Sequence, residues 1–120
     1  WDGIIKQLNG DTKNIEGATY LTPFVATDTS EKVQAFVNTY KEKYNAEPDQ
    51  FAADGYDAVY AIKAAIEKAG DDTSNEALVS AMTQISVNGL TGDMTFDENG
   101  EPNKSAKVVV IKDGQYVAQN

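Results

Sequence analysis

The chain has 120 residues, 41% of them hydrophobic, so it is one domain or a piece of one with enough apolar material for a core. Its net charge is −9, with ten basic residues that are all Lys. The absence of Arg and the acidic balance argue against nucleic-acid binding and against docking on an anionic membrane. With neither Cys nor His, the sequence lacks the ligands of ordinary zinc and iron–sulfur sites and the parts of a Ser-His-Asp or Cys-His nucleophile.

No run of 18 apolar residues occurs, so no membrane-spanning helix is predicted. The chain opens on Trp1 rather than Met, as a processed product or a fragment would. "WDGIIKQLNG" predicts a short helix ending at Gly10, and "ATYLTPF" a strand stopped near Pro23. Asp28 and Glu31 have the spacing of a capping box. Behind them Val33, Phe36, Val37, Tyr40 and Tyr44 recur at helical spacing, the pattern of a core-facing stripe, with Asn45 as the stop.

A third helix is predicted from Asp49, its candidate N-cap, to Gly70, a natural residue just past a helix end. Val59, Ile62, Ile66 and Ala69 form an apolar stripe expected to face the core, while Ala58, Ala61, Ala64 and Ala65 allow close packing. Gly55 stands in the interior of this helix, where glycine costs roughly 1 kcal/mol relative to alanine. Phe51 lies at the helix start, off that stripe. It suits either the wall of a ligand cleft or a hydrophobic contact that fixes the angle at which the helix begins, and both readings stay open.

Thr73 and Glu76 suggest another capping box, opening a helix through Leu78, Met82 and Ile85. Beyond Thr91 the texture becomes strand and turn. Met94–Phe96 is a short strand, "DENGEPN" a turn, and "AKVVVI" a strand whose continuous apolar run suggests burial on both faces. "KDGQ" carries the Asp-Gly hairpin signal into "QYVA". A calcium loop at "DENGEPN" fits poorly: Gly100 is fourth from Asp97 rather than sixth, and Val108 stands where the twelfth-position Glu belongs. Asp54 and Asp57 lie one turn apart near a helix start, where carboxylates complement the helix dipole without any catalytic role. The predicted class is α/β, with a sheet that looks incomplete.

"EGATYLTPF", "VQAFVNTYKEKYNAEPDQFAADGYDAVYAIKAAIEKAG" and "LTGDMTFDENGEPNKSAKVVVIKDGQYV", in that order, closely resemble the C-terminal third of extracytoplasmic solute-binding proteins. The branch is that of branched-chain amino acid ABC transporters, the Leu/Ile/Val-binding type, and the resemblance runs from about Trp1 to Val117. "EPDQFAADGYDAV" and "GLTGDMTFDENGEP" are together its most specific part. The resemblance implies a partial type I periplasmic-binding-protein fold, three helices plus short strands contributing to two lobes joined by hinge crossings. It divides the chain into residues 1–25 (short helix and hinge strand), 26–90 (helical part of the N-terminal lobe) and 91–120 (crossing strands and hairpin).

The same resemblance implies a binding protein rather than an enzyme, with no cofactor and no metal, that delivers an amino acid to an ABC permease. It would work outside the cytoplasm, in the periplasm or as a cell-surface lipoprotein. A ligand-sensing receptor domain of the same fold is the alternative. Phe51 matches a position that lines the cleft and touches the ligand's apolar side chain; Trp1 would follow the ammonium-binding loop, and Phe24 would lie near a hinge exit. The residues that hold the ligand's carboxylate and ammonium would precede Trp1, so the resemblance does not fix which amino acid binds. With strand partners missing, the isolated chain is expected to self-associate.

Overall fold

The computed structural model describes residues 3–119. Among them are four helices and five strands: α1 (Ile4–Gln7), β1 (Thr19–Thr22), α2 (Glu31–Tyr44), α3 (Gln50–Ala69), α4 (Asn75–Met82), β2 (Ser86–Gly89), β3 (Gly92–Thr95), β4 (Lys107–Lys112) and β5 (Gln115–Gln119). This is a mixed α/β chain, as its sequence predicts. It divides into two compact units, Trp1–Ala52 with Ala106–Asn120, and Ala53–Ser105, the boundary falling within α3.

In the first unit β1, β4 and β5 form an antiparallel sheet with β4 in the centre. The β4–β5 turn is built on Asp113 and Gly114, both with positive φ (50° and 74°), the conformation for which Asp-Gly is selected. Val109 and Ile111 of β4 are fully buried, whereas Val108 is exposed and pairs across the ladder with exposed Leu21. The expectation that β4 is buried on both faces is therefore corrected. In an antiparallel sheet one face can remain open, and alternation then governs even an all-apolar run.

The α2 stripe packs as predicted through Val33 and Val37, with Phe36 and Tyr40 half-buried and Tyr44 exposed. Asn45 ends the helix in the left-handed region (φ 51°) and its N–H reaches the Lys41 carbonyl at 2.9 Å. The capping box is not formed. Ser30 occupies the N-cap without a side-chain cap bond, and the Asp28 carboxylate accepts the Ser30 N–H at 2.8 Å and pairs with Lys107. Burial opposes ionisation of Asp28, but the Lys107 hydrogen bond, the bonds from Ser30 and the Lys107 charge outweigh it and hold the carboxyl below its ordinary value.

The second unit overturns the expectation for α3. Its buried positions are Ala53, Asp57, Ala61 and Ala65, and Ala61 and Ala65 share a core with Ala81, Ile85, Val87 and Met94. Val59 and Ile62, the expected core stripe, are 65% and 56% exposed, and Ile66 is exposed with them. Periodicity identified two apolar faces on this helix but could not tell which one the chain itself covers; the alanine face wins because its short side chains admit the β2–β3 hairpin closely. The helix ends as predicted, with Gly70 at φ 69° and its N–H on the Ile66 carbonyl.

Helix α4 begins one residue later than the Thr73–Glu76 spacing suggests. Ser74 is the N-cap, its hydroxyl accepting the Ala77 N–H at 3.3 Å. The helix stops at Met82, and the segment through Ile85 leads into β2 instead of prolonging it. Buried Ile85 and Val87 alternate with exposed Ser86 and Asn88, a strand pattern missed in the sequence reading. "DENGEPN" is the expected polar turn: Asp97 Oδ1 accepts the N–H groups of Asn99 and Glu101 at 2.9 and 2.8 Å. These backbone bonds, that to Glu101 foremost, lower the Asp97 pKa and occupy the carboxylate with the turn itself.

Candidate functional site

The first unit carries an open pocket of about 660 Å³, within the range that small-molecule sites occupy. Its walls come from β1 and the loop after it (Tyr20, Phe24, Val25, Ala26, Thr27), the loop before α3 (Glu47, Pro48, Asp49), the α1 region (Ile5, Lys6) and the β4–β5 turn with Tyr116. The Tyr20 and Tyr116 rings meet edge to face at 6.0 Å, and the Tyr116 hydroxyl accepts the Ile5 N–H at 3.3 Å. Thr27 Oγ1 donates to the Tyr116 carbonyl at 2.9 Å, so the loop after β1 is tied to β5.

Phe24 is 2% exposed. It forms part of the cavity wall and packs edge-on against Phe36 of α2 at 6.0 Å. Phe51 is 69% exposed, does not line this cavity, and begins α3. Its backbone is nevertheless well fixed. Asp49 Oδ1 accepts the Ala52 N–H at 2.9 Å, as an N-cap should, and the Thr22 hydroxyl bonds Gln50 Oε1 at 2.9 Å. Thr22 is itself buried and also accepts the Phe24 N–H at 3.4 Å, so one hydroxyl joins the residue before Phe51 to the segment that carries Phe24. Trp1, the third residue singled out by sequence, lies outside the described residues.

The arrangement suits an apolar group between aromatic walls, with an ammonium (Lys6) and two carboxylates (Glu47, Asp49) among the lining side chains. Lys41 pairs with Glu47 at 2.8 Å and Asp49 is engaged as the α3 cap. Among the described residues no group of three or more Asp or Glu is placed to hold a metal ion. Sequence reasoning missed Tyr20, Pro48 and Tyr116, which reach the cavity from three separated stretches; the aromatic residues within predicted strands were the available signal.

A sequence model described as "Periplasmic binding protein" matches residues 1–115. The chain belongs to the periplasmic binding protein family. Among solved structures it is similar to a leucine-binding protein, LivK, of Thermotoga maritima: 34% identity, TM-score 0.75, covering 90% of this chain and 31% of that one. It is also similar to an ABC transporter substrate-binding protein of Desulfitobacterium hafniense in complex with Leu, at 26% identity and TM-score 0.74, covering 88% of this chain and 32% of the other. A solute-binding protein of R. palustris in complex with benzoate shares the fold at 23% identity and TM-score 0.80, over 98% of this chain and 32% of its own. The fold is thus part of the type I periplasmic-binding-protein fold, and the chain spans about a third of the length of these solved relatives. Among the described residues no helix is long and apolar enough to cross a membrane.

Proposed function

We propose that this chain is part of an extracytoplasmic solute-binding protein that captures amino acids, branched-chain ones first, for an ABC permease. The observation that carries the reading is the family match over residues 1–115, joined to an aromatic side chain, Phe51, held at a capped helix start and left 69% exposed by its own chain. The leucine named with two of the solved relatives supports the choice of ligand. Phe51 meets the ligand's apolar side chain, Phe24 shapes the wall near the crossing, and Trp1, outside the described residues, follows the ammonium-binding loop in the chain. In this reading residues 1–25 and 91–120 contain the crossings and 26–90 belongs to the N-terminal lobe. Neither cofactor nor catalytic step is required.

Phe51→Ala in the full-length protein is expected to weaken leucine binding by roughly 1–3 kcal/mol, the scale of burying one aromatic against an apolar side chain, with little loss of stability. Isothermal titration with leucine, isoleucine, valine and benzoate measures this. A variant that binds as the parent does but melts early would make Phe51 a packing residue.

The 120-residue chain alone is expected to bind no amino acid tightly, because a desolvated ammonium or carboxylate needs fixed partners that the remaining length would provide. It is also expected to self-associate through its open strand edges. Sedimentation velocity and a leucine titration test both. A strict monomer with micromolar affinity for leucine would mean that the chain is a complete binding domain.

A further inference from the structure

Thr22 is a polar residue in a core position. Exposure alternates along β1, so Tyr20 and Thr22 share its more buried face, and Thr22 is 2% exposed. Valine has nearly the same shape and suits a strand as well, so it is the hydroxyl that calls for a reason: once buried, it costs stability unless it is bonded. The Phe24 carbonyl at 3.0 Å and the Phe24 N–H at 3.4 Å lie two residues on, and their bonds to the hydroxyl shape the turn through Pro23. Gln50 Oε1, at 2.9 Å, is 28 residues away, and no local turn needs it.

Gln50 is the first residue of α3 and Phe51 the second. The Phe51 side chain is mostly exposed, so its place is set by the backbone of the helix start rather than by packing around the ring. The Asp49 cap on the Ala52 N–H orders that first turn, but cap and helix belong to one segment and move together. Thr22 belongs to β1, which is paired along its length with β4, the central strand of its sheet. Its bond to Gln50 therefore ties the helix start to a rigid element. We propose that Thr22, acting through Gln50, is a positioning residue for solute binding: it fixes where the Phe51 ring is presented to the ligand. A binding side chain has to be held to within about 0.5 Å by its supporting contacts, and an exposed ring at a helix start has no other long tether to the sheet among the described hydrogen bonds. The inference rests on the proposed role of Phe51 as the contact to the ligand's apolar side chain, and it adds the residue that holds this contact in place.

The test measures leucine binding by isothermal titration, with Tm beside it, in the full-length protein and its variants. Thr22→Val keeps the packing and removes the hydroxyl. Gln50→Met keeps the length and helix propensity of the side chain and removes the amide. Each is expected to raise the leucine Kd about 5-fold, and by less than Phe51→Ala does, because misplacing a contact costs no more than deleting it. The two effects are expected not to add when combined, since both break one bond. Thr22→Ser keeps the hydroxyl but loses a buried methyl, so it is expected to bind as the parent does while melting lower. In the Phe51→Ala background, Thr22→Val is expected to leave the Kd where Phe51→Ala alone puts it.

A leucine Kd equal to the parent's in both Thr22→Val and Gln50→Met would overturn the inference while leaving the proposed function intact. A rise that persists undiminished after Phe51→Ala would overturn it too, since Thr22 would then act through Phe24 and the pocket wall rather than through Phe51. A full-length protein that binds none of leucine, isoleucine, valine and benzoate would remove the proposed function, and the inference with it. The expected pattern separates positioning from stability: Thr22→Ser moves Tm without Kd, and Gln50→Met moves Kd with Tm close to the parent's.

Discussion

Replacing Asp57 with alanine is expected to lower the unfolding free energy by about 3–5 kcal/mol, a large effect for a residue with no proposed contact to ligand. Asp57 is 2% exposed, and its carboxylate accepts three hydrogen bonds: from the Leu90 N–H at 2.7 Å, the Thr91 N–H at 2.8 Å and the Thr91 hydroxyl at 2.7 Å. Leu90 and Thr91, which form the two-residue loop between β2 and β3, are buried as well. Truncation leaves two backbone donors in the interior without an acceptor, and each costs roughly 1–3 kcal/mol. Asp57→Asn keeps one acceptor oxygen and should lose about half as much. Urea unfolding of the three proteins measures the series. An alanine variant within about 1 kcal/mol of the parent would show that water replaces the carboxylate and that the loop is not clamped.

The clamp also marks where sequence reasoning stops. Asp57 reads as a carboxylate complementing a helix start, because its neighbours in sequence say only that; its partners are 33 and 34 residues away. The same limit explains the reversal on α3. Val59, Ile62 and Ile66 are the bulkier apolar residues and make the natural core face, but the described residues leave them exposed, so Ile62→Ala should cost this chain little. Features decided locally were legible: Asn45 and Gly70 as helix ends, Asp49 as a cap, Asp113–Gly114 as a turn. So was the family, since motif order survives where contacts are unknown. Strand β2 was missed because four residues of mixed polarity after a helix give too short a period to separate from one more helical turn. The cavity could not be assembled because Tyr20, Pro48 and Tyr116 meet only once β1 and β5 lie in one sheet.

Gly89→Ala is expected to destabilise the second unit by about 1–3 kcal/mol, and to do so only while Asp57 is present. The φ of Gly89 is not positive, so the backbone does not require glycine there; space does. A Cβ at this position would stand 2.4 Å from Asp57 Oδ2, 2.7 Å from its Cγ and 2.8 Å from Met94 Cε. The Met94 methyl is the free end of a flexible side chain and can swing away at small cost. The Asp57 carboxylate cannot, because moving it would stretch all three bonds from Leu90 and Thr91. Glycine at 89 and aspartate at 57 are therefore one device, the first making room for the second beneath the β2–β3 turn. A double-mutant cycle reads the coupling directly. Gly89→Ala in an Asp57→Ala background should cost far less than in the parent, since the clash and the bonds it would break are both gone. Equal costs in the two backgrounds would mean that Gly89 answers to something other than the carboxylate, and that the loop is held by its own turn geometry.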